Sequence, residues 1–377
     1  MTVQTFSAQD HRMMAQALKL AQRGIYSTSP NPNVGCVIAD DSDNIVGQGW
    51  HLKAGSPHAE VHALRQAGRL AKGATAYVTL EPCSHFGRTP PCANALVEAG
   101  IKRVVAAMVD PNPAVSGRGL AILQQQGIDT SYGLMAEQAE TLNRGFVKRM
   151  KTGTPWVTLK LAASLDGKTA LANGRSQWIT GTAARQDVQR HRLASCAILS
   201  GSGTVLTDDP SLNVRHHELG DLAQQIDKST MRQPARIILD GRNQLHNALR
   251  LFDLAGQTYV FNQTYNSLLR PSVEQIQLAS KDNKLDLQAV LQNLAELQFN
   301  NIWLEAGGRL AGALVQQNLV DELILYQAPK LLGDKSQNLF VMDELTSMSQ
   351  TKMLQWSSIK MVGEDVKFTA RFVPNSE

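Results

Sequence analysis

Short apolar runs alternate with segments of helical period along almost the whole 377-residue chain, and this alternation most constrains what it can fold into. Ser7 reads as an N-cap, with Met13, Met14, Ala17, Leu18 and Ala21 at helical spacing and Gly24 as the stop. Residues 34–39 and 45–49 read as strands joined by the turn Asp41-Ser42-Asp43-Asn44. Further strands are expected at 75–80 and 103–109, and helices at 59–71, 93–99, 120–126 and 136–150. A short strand is expected before the last of these helices. Such an order predicts an α/β/α sandwich on a largely parallel sheet.

The segment Lys151-Thr152-Gly153-Thr154-Pro155 is short and polar and carries both Gly and Pro, so it reads as a domain boundary. A second alternation follows. Strands are expected at 156–162, 197–200, 235–240, 258–262, 301–305 and 322–328, with an edge or closing strand at 367–373. Helices are expected at 183–193, 287–297 and 310–318, and 216–233 reads as a polar surface loop. Two α/β domains are therefore expected, 1–150 and 151–377.

Composition excludes other classes. With 43% hydrophobic and 19% charged residues the chain is not a largely disordered one. No stretch approaches the ~20 apolar residues of a membrane helix. Asp10 and Arg12 interrupt the N-terminal segment early, so no export leader is expected, and the compartment is read as cytoplasmic. A net charge of +4 permits anionic substrates but argues little for nucleic acid. In a reducing compartment the four cysteines are first tested as metal ligands.

His58-Ala59-Glu60 stands at the start of an expected helix, Pro82-Cys83 at the end of an expected strand, and Cys92 just before another helix. One imidazole and two thiolates give zinc three tetrahedral ligands and leave a fourth position for water. Zinc lowers the pKa of that water to about 7, giving a hydroxide nucleophile. Glu60 sits where it can shuttle protons beside the metal without ligating it. This is the zinc-deaminase pattern of His-x-Glu followed by Pro-Cys and a second Cys, with eight residues between the cysteines instead of two. Cys36 and Cys196 read as buried, apolar-like residues.

His58-Ala59-Glu60 together with Glu81-Pro82-Cys83-Ser84-His85-Phe86-Gly87-Arg88-Thr89-Pro90-Pro91-Cys92 resembles the bacterial bifunctional deaminase–reductases of riboflavin biosynthesis. Asn31-Pro32-Asn33-Val34-Gly35 and Asp110-Pro111-Asn112-Pro113 fit the same family, and the resemblance covers nearly the whole chain. It implies a cytidine-deaminase-like first domain. There His58, Cys83 and Cys92 bind one zinc ion, Glu60 shuttles protons, and Asn33, His85 and Arg88 are candidate substrate contacts. Asn33 equally fits a turn residue.

In the second domain, Trp303-Leu304-Glu305-Ala306-Gly307-Gly308-Arg309-Leu310-Ala311-Gly312 takes an apolar strand through a Gly-Gly turn into a helix. Its N-terminus suits a dinucleotide phosphate. Residues 160–168, 201–205 and 208–215 resemble the reductase half of the family, which is similar to dihydrofolate reductase in fold and uses NADPH. By position the resemblance implies NADP contacts at Ala162, Trp178, Thr204, Asp208 and at Gly307, Gly308, Arg309, Leu310, Ala311, Gly312 and Ala313. It implies substrate contacts at Ser176, Arg192, Leu212, Arg215 and Glu305. Arg192 and Arg215 can grip a phosphate by paired hydrogen bonds. Lys160 and Asp208 are candidates for the acid or electrostatic partner of reduction, and also fit a structural ion pair.

The implied substrate is a phosphorylated pyrimidine, first deaminated and then reduced along its ribosyl chain. No nucleic acid or membrane partner is expected, and the resemblance implies a homo-oligomer, most simply a dimer. A nucleic-acid deaminase with an accessory domain is the main alternative, which the long Cys83–Cys92 spacing disfavours.

Overall fold

The computed structural model describes residues 5–84, 91–113, 115–281 and 284–373. The chain divides into two compact units, Met1–Gly153 and Thr154–Glu377. Gly153 closes the helix Arg144–Thr152 with a φ of 68°, a conformation that a side chain would strain.

The first unit holds a five-stranded sheet. Its spatial order is Ile45–Trp50, Gly35–Ala39, Thr75–Val78, Arg103–Ala106, Asp129–Tyr132. The first two pairings are antiparallel and the last two parallel, so the sheet is mixed rather than largely parallel. Strand alternation sends Val37, Ala39, Tyr77 and Val105 into one core, against the helix Ala8–Gln22 and Phe146 and Val147. Cys36, Ile38, Ala76, Val78 and Val104 fill the opposite core, with Ala59 and Ala63, Ala93 and Leu96, and Leu123. Both faces are covered, which is why these strands read as unbroken apolar runs.

The stretch expected as one helix over 136–150 is two, Ala136–Leu142 and Arg144–Thr152. Asn143 breaks it: its Oδ1 accepts the Asn33 N–H at 2.7 Å and its Nδ2 donates to the Asn33 carbonyl at 2.9 Å.

The second unit holds a nine-stranded sheet. Its core order is Ala235–Leu239, Ala197–Gly201, Asn301–Glu305, Trp156–Ser164, Glu322–Ala328, all pairing in parallel. Thr258–Asn262 and Glu274–Gln277 extend one edge in parallel. The hairpin Leu354–Val362 and Asp365–Phe372 extends the other edge antiparallel. Helices Leu287–Glu296 and Gly308–Gln316 cover one face, through Val290, Leu291, Ala311 and Leu314. Helix Thr182–Ala194 covers the other through Ala184 and Val188. Residues 216–233 carry two short 3-10 turns, His216–Glu218 and Gly220–Gln224.

Candidate functional sites

In the first unit, three segments bring His58, Cys83 and Cys92 together. His58 precedes the helix Ala59–Ala67 in extended conformation, Cys83 follows the strand Thr75–Val78, and Cys92 opens the helix Cys92–Glu98. One donor atom from each lies within 4.8 Å of the others. His58 Nδ1 stands 3.3 Å from Cys92 Sγ and 3.5 Å from Cys83 Sγ, and the Cys92 N–H donates to Cys83 Sγ at 3.2 Å.

The electrostatics fit a dication. Hydrogen bonding from Cys92, and then from His58, holds the Cys83 thiol well below the ordinary range. Its bond to Cys83, together with burial, pushes the Cys92 thiol far up. Two thiols so close do not both ionise unaided, and a zinc ion between them removes that conflict by binding both as thiolates. Glu60 is 3% exposed, and one carboxylate oxygen is buried without a hydrogen-bond partner. Burial, and then the Cys83 charge, pushes its carboxyl up to about 7. A donor set of His and two Cys beside an orphaned carboxylate oxygen fits a catalytic zinc site rather than a closed structural one.

His85 and Arg88 lie outside the described residues. The side chain of Asn33 is engaged within the protein: its Oδ1 accepts from the Thr28 hydroxyl at 2.8 Å and its Nδ2 donates to the Leu142 carbonyl at 3.4 Å.

The second unit carries a cavity of about 2190 Å³ along the carboxyl ends of its parallel strands. It gathers Lys160, Ala162, Ser176, Trp178, Arg192, Thr204, Asp208, Arg215 and Glu305, with Gly307, Gly308, Arg309, Leu310 and Ala313. Three expected contacts do not line it. Leu212 is 1% exposed, with its side chain in the core. Ala311 faces the core beneath the sheet. Gly312 packs on the backbone of Val341, where a Cβ would meet the carbonyl oxygen at 2.0 Å.

On the cavity wall Glu305 holds Arg192 by two bonds, Nε to Oε1 at 2.6 Å and a terminal nitrogen to Oε2 at 2.8 Å. The Arg192 fork is engaged by Glu305, and Arg215 is likewise forked on Glu218 at 2.7 Å. Trp303 Nε1 adds a donor to Glu305 Oε1 at 2.8 Å, a partner the sequence reading missed. Lys160 lies beside Glu305 and Arg192; burial pushes its pKa down, as does Arg192, while Glu305 raises it. Its described electrostatic neighbours do not include Asp208, so the ion-pair reading is corrected. Partial shielding alone raises the Asp208 carboxyl.

The Gly307 N–H bonds to Thr204 Oγ1 at 3.2 Å, joining the Gly-Gly turn to the helix Ser202–Asp208. The helix Gly308–Gln316 begins there without a side-chain cap, leaving its first N–H groups to a ligand. Arg242, Lys284 and Arg309 also line the cavity and enter no ion pair among the described residues. An uncapped helix start with spare cations fits a dinucleotide phosphate.

Residues 7–108 match the family described as the cytidine and deoxycytidylate deaminase zinc-binding region, and residues 155–368 match the RibD C-terminal domain. Riboflavin biosynthesis protein RibD of Escherichia coli (strain K12) is 53% identical over 95% of this chain and 98% of its own length. The protein of that name from Haemophilus influenzae is 48% identical over 97% and 98%. The solved structure of Acinetobacter baumannii RibD superposes with a TM-score of 0.90 at 46% identity, covering 97% of this chain and 99% of that one. That of a Thermotoga maritima diaminohydroxyphosphoribosylaminopyrimidine deaminase/5-amino-6-(5-phosphoribosylamino)uracil reductase gives 0.85 at 31%, with the same coverage. The chain thus belongs to the bifunctional RibD family of riboflavin biosynthesis, which joins a zinc-dependent deaminase to an NADPH-dependent reductase.

Proposed function

We propose that residues 1–150 deaminate 2,5-diamino-6-(5-phosphoribosylamino)pyrimidin-4(3H)-one, and that residues 151–377 reduce the product to 5-amino-6-(5-phosphoribitylamino)uracil. The buried, half-partnered carboxylate of Glu60 beside His58, Cys83 and Cys92 carries this reading.

Bound through those three residues, zinc supplies a water of lowered pKa. Glu60 is placed to accept a proton from a water whose oxygen bonds to the amino-bearing ring carbon. It returns that proton to the ring nitrogen, then carries the proton of the new hydroxyl group to the amino group, so that the carbonyl forms, the C–N bond breaks and ammonia leaves. A carboxyl held near 7 by burial both accepts and donates at neutral pH.

Bound in the second cavity, NADPH supplies a hydride. Its phosphates are assigned to the start of the helix Gly308–Gln316 and to Arg309, and its other contacts to Ala162, Trp178, Thr204 and Asp208. Reduction adds the hydride to the anomeric carbon of the ring-opened imine, and the nitrogen takes a proton. Lys160, whose ammonium is destabilised by burial, and Asp208 are the candidate donors. Ser176, Arg215 and Glu305 are assigned to the substrate, Arg192 serving through Glu305. His85 and Arg88 remain substrate candidates by sequence. The enzyme is read as a cytoplasmic homo-oligomer, most simply a dimer, without a nucleic-acid partner. No described helix is long and apolar enough to cross a membrane.

Mass spectrometry of products from the diaminopyrimidine, with and without NADPH, tests this. The deaminated product should form alone, and the ribityl product only with NADPH. Deamination that NADPH does not extend would refute the reductase assignment, and a folded, zinc-loaded protein that does neither would refute the substrate.

A further inference from the structure

Glu81 lies two residues before Cys83 and is 3% exposed. Each of its carboxylate oxygens accepts two backbone N–H groups. Oε2 accepts from Asp110 at 3.0 Å and Gly117 at 2.9 Å, while Oε1 accepts from Gly119 at 2.8 Å and Leu120 at 3.4 Å. A buried charge is costly unless hydrogen-bonded, and this one is saturated by main chain alone.

Asp110 opens the Asp110-Pro111-Asn112-Pro113 motif, and Gly117, Gly119 and Leu120 stand at the N-cap and first turn of the helix Arg118–Gln125. Asp110 Oδ1 accepts the Asn112 N–H at 2.8 Å, and the Asn112 carbonyl accepts from Val115 and Ser116 at 2.9 Å. Gly117 is the N-cap of helix Arg118–Gln125, and Glu81, in the loop that follows the strand Thr75–Val78, caps the first N–H groups of that helix. The two segments also touch directly. A Cβ on Gly119 would stand 1.9 Å from the Pro82 carbonyl oxygen, so the main chain leading into Cys83 rests on bare glycine backbone.

We propose that Glu81 is a positioning residue of the metal centre. By fastening Pro82-Cys83 to the main chain of Asp110, Gly117, Gly119 and Leu120, it sets where the Cys83 sulfur stands relative to His58 and Cys92, and so how firmly zinc is held. The inference rests on the zinc reading of those three residues. Outer groups that orient a ligand typically change metal affinity about 10- to 100-fold when removed.

The test uses the full-length, zinc-loaded enzyme and its Glu81→Ala, Glu81→Gln and Gly119→Ala variants. Two readouts are taken on folded protein: the rate of zinc transfer to a chromophoric chelator, and the thiolate-to-metal absorption of the cobalt-substituted protein. Glu81→Ala should release zinc at least about tenfold faster with a shifted cobalt spectrum. Glu81→Gln, which keeps one acceptor oxygen, should fall between it and wild type. Gly119→Ala keeps the carboxylate but displaces Pro82, and should move both readouts in the same direction. Wild-type zinc release and spectrum in folded Glu81→Ala, with only a lower melting temperature, would show a helix cap and overturn the proposal. Should the alanine variant not fold, unchanged readouts in Glu81→Gln overturn it equally. A wild-type protein that takes up no zinc would instead sink the metal reading itself.

Discussion

Arg192 and Glu305, 113 residues apart, meet as a closed fork on the wall of the second cavity, with bonds of 2.6 and 2.8 Å. Arg192 is 7% exposed, so its charge depends on this partner. Burial alone would raise the Glu305 carboxyl; Arg192, Lys160 and Trp303 outweigh it and hold it at about 2. Because the folded value lies below the ordinary 4.5, the stabilisation is present above that pH and is lost as pH falls from 4.5 towards 2. Glu305→Gln leaves a buried cation with a neutral partner. It should lower stability by about 3 kcal/mol at neutral pH and flatten the acid limb of melting temperature against pH. An acid limb as steep as wild type would count against the assignment.

Trp303 is 1% exposed and donates to the same Glu305 oxygen that Arg192 Nε reaches. Its ring also stacks on His191, centroids 4.8 Å apart. Trp303→Phe keeps an aromatic ring and removes the N–H. Reduction of deaminated substrate should slow by about tenfold, the worth of a hydrogen bond to a charged group, with deamination untouched. Steady-state kinetics of each half reaction measures this, and an unchanged reductase rate would show that Arg192 alone fixes Glu305.

Chelation separates the two units. Removing zinc should stop deamination and leave reduction of supplied deaminated substrate intact. It should also expose the Cys83 thiolate to a thiol reagent at neutral pH, since hydrogen bonds from Cys92 and His58 stabilise its ionised form. Cys36 and Cys196, only 0% and 3% exposed, should stay unreactive until unfolding. A native protein whose Cys83 reacts equally fast with and without chelator would argue against metal ligation.

Glu60→Gln preserves shape and removes the proton carrier. Deamination should fall about 10²- to 10⁴-fold while zinc content and reduction stay at wild-type values. Loss of both activities in a folded variant would contradict independent chemistry in the two units.

What was legible in the sequence follows from how local its cause is. The strands Thr258–Asn262, Asn301–Glu305 and Glu322–Ala328 lie where apolar runs place them, because both faces are buried and every residue carries the signal. Leu354–Val362 was not foreseen: its residues are mostly exposed, and it is a strand through pairing with Asp365–Phe372. Asn143 breaks a helix through a bond to Asn33, 110 positions away, which no local pattern reveals. His58, Cys83 and Cys92 were legible because metal chemistry is written in residue type and spacing. The closure of Arg192 on Glu305 was not, because either side chain alone reads as free to hold substrate.

Gly312 separates packing from ligand contact. A strand-to-helix turn rich in glycine reads as a phosphate cradle, yet Gly312 packs on Val341, a residue of the cavity wall, and does not itself line the cavity. Its Cα lies against the main chain at Val341, where a Cβ would meet the carbonyl oxygen at 2.0 Å and the carbonyl carbon at 2.8 Å. Backbone cannot step aside as a flexible side chain does. Alanine favours a helix by about 1 kcal/mol over glycine, but overpacking costs about 1–3 kcal/mol, so Gly312→Ala should be net destabilising. Denaturant melts should show a lowered midpoint, while the affinity of folded variant for NADPH, followed by cofactor fluorescence, should stay within about twofold of wild type. The opposite pattern, an unchanged midpoint with weakened NADPH binding, would place Gly312 at the cofactor after all.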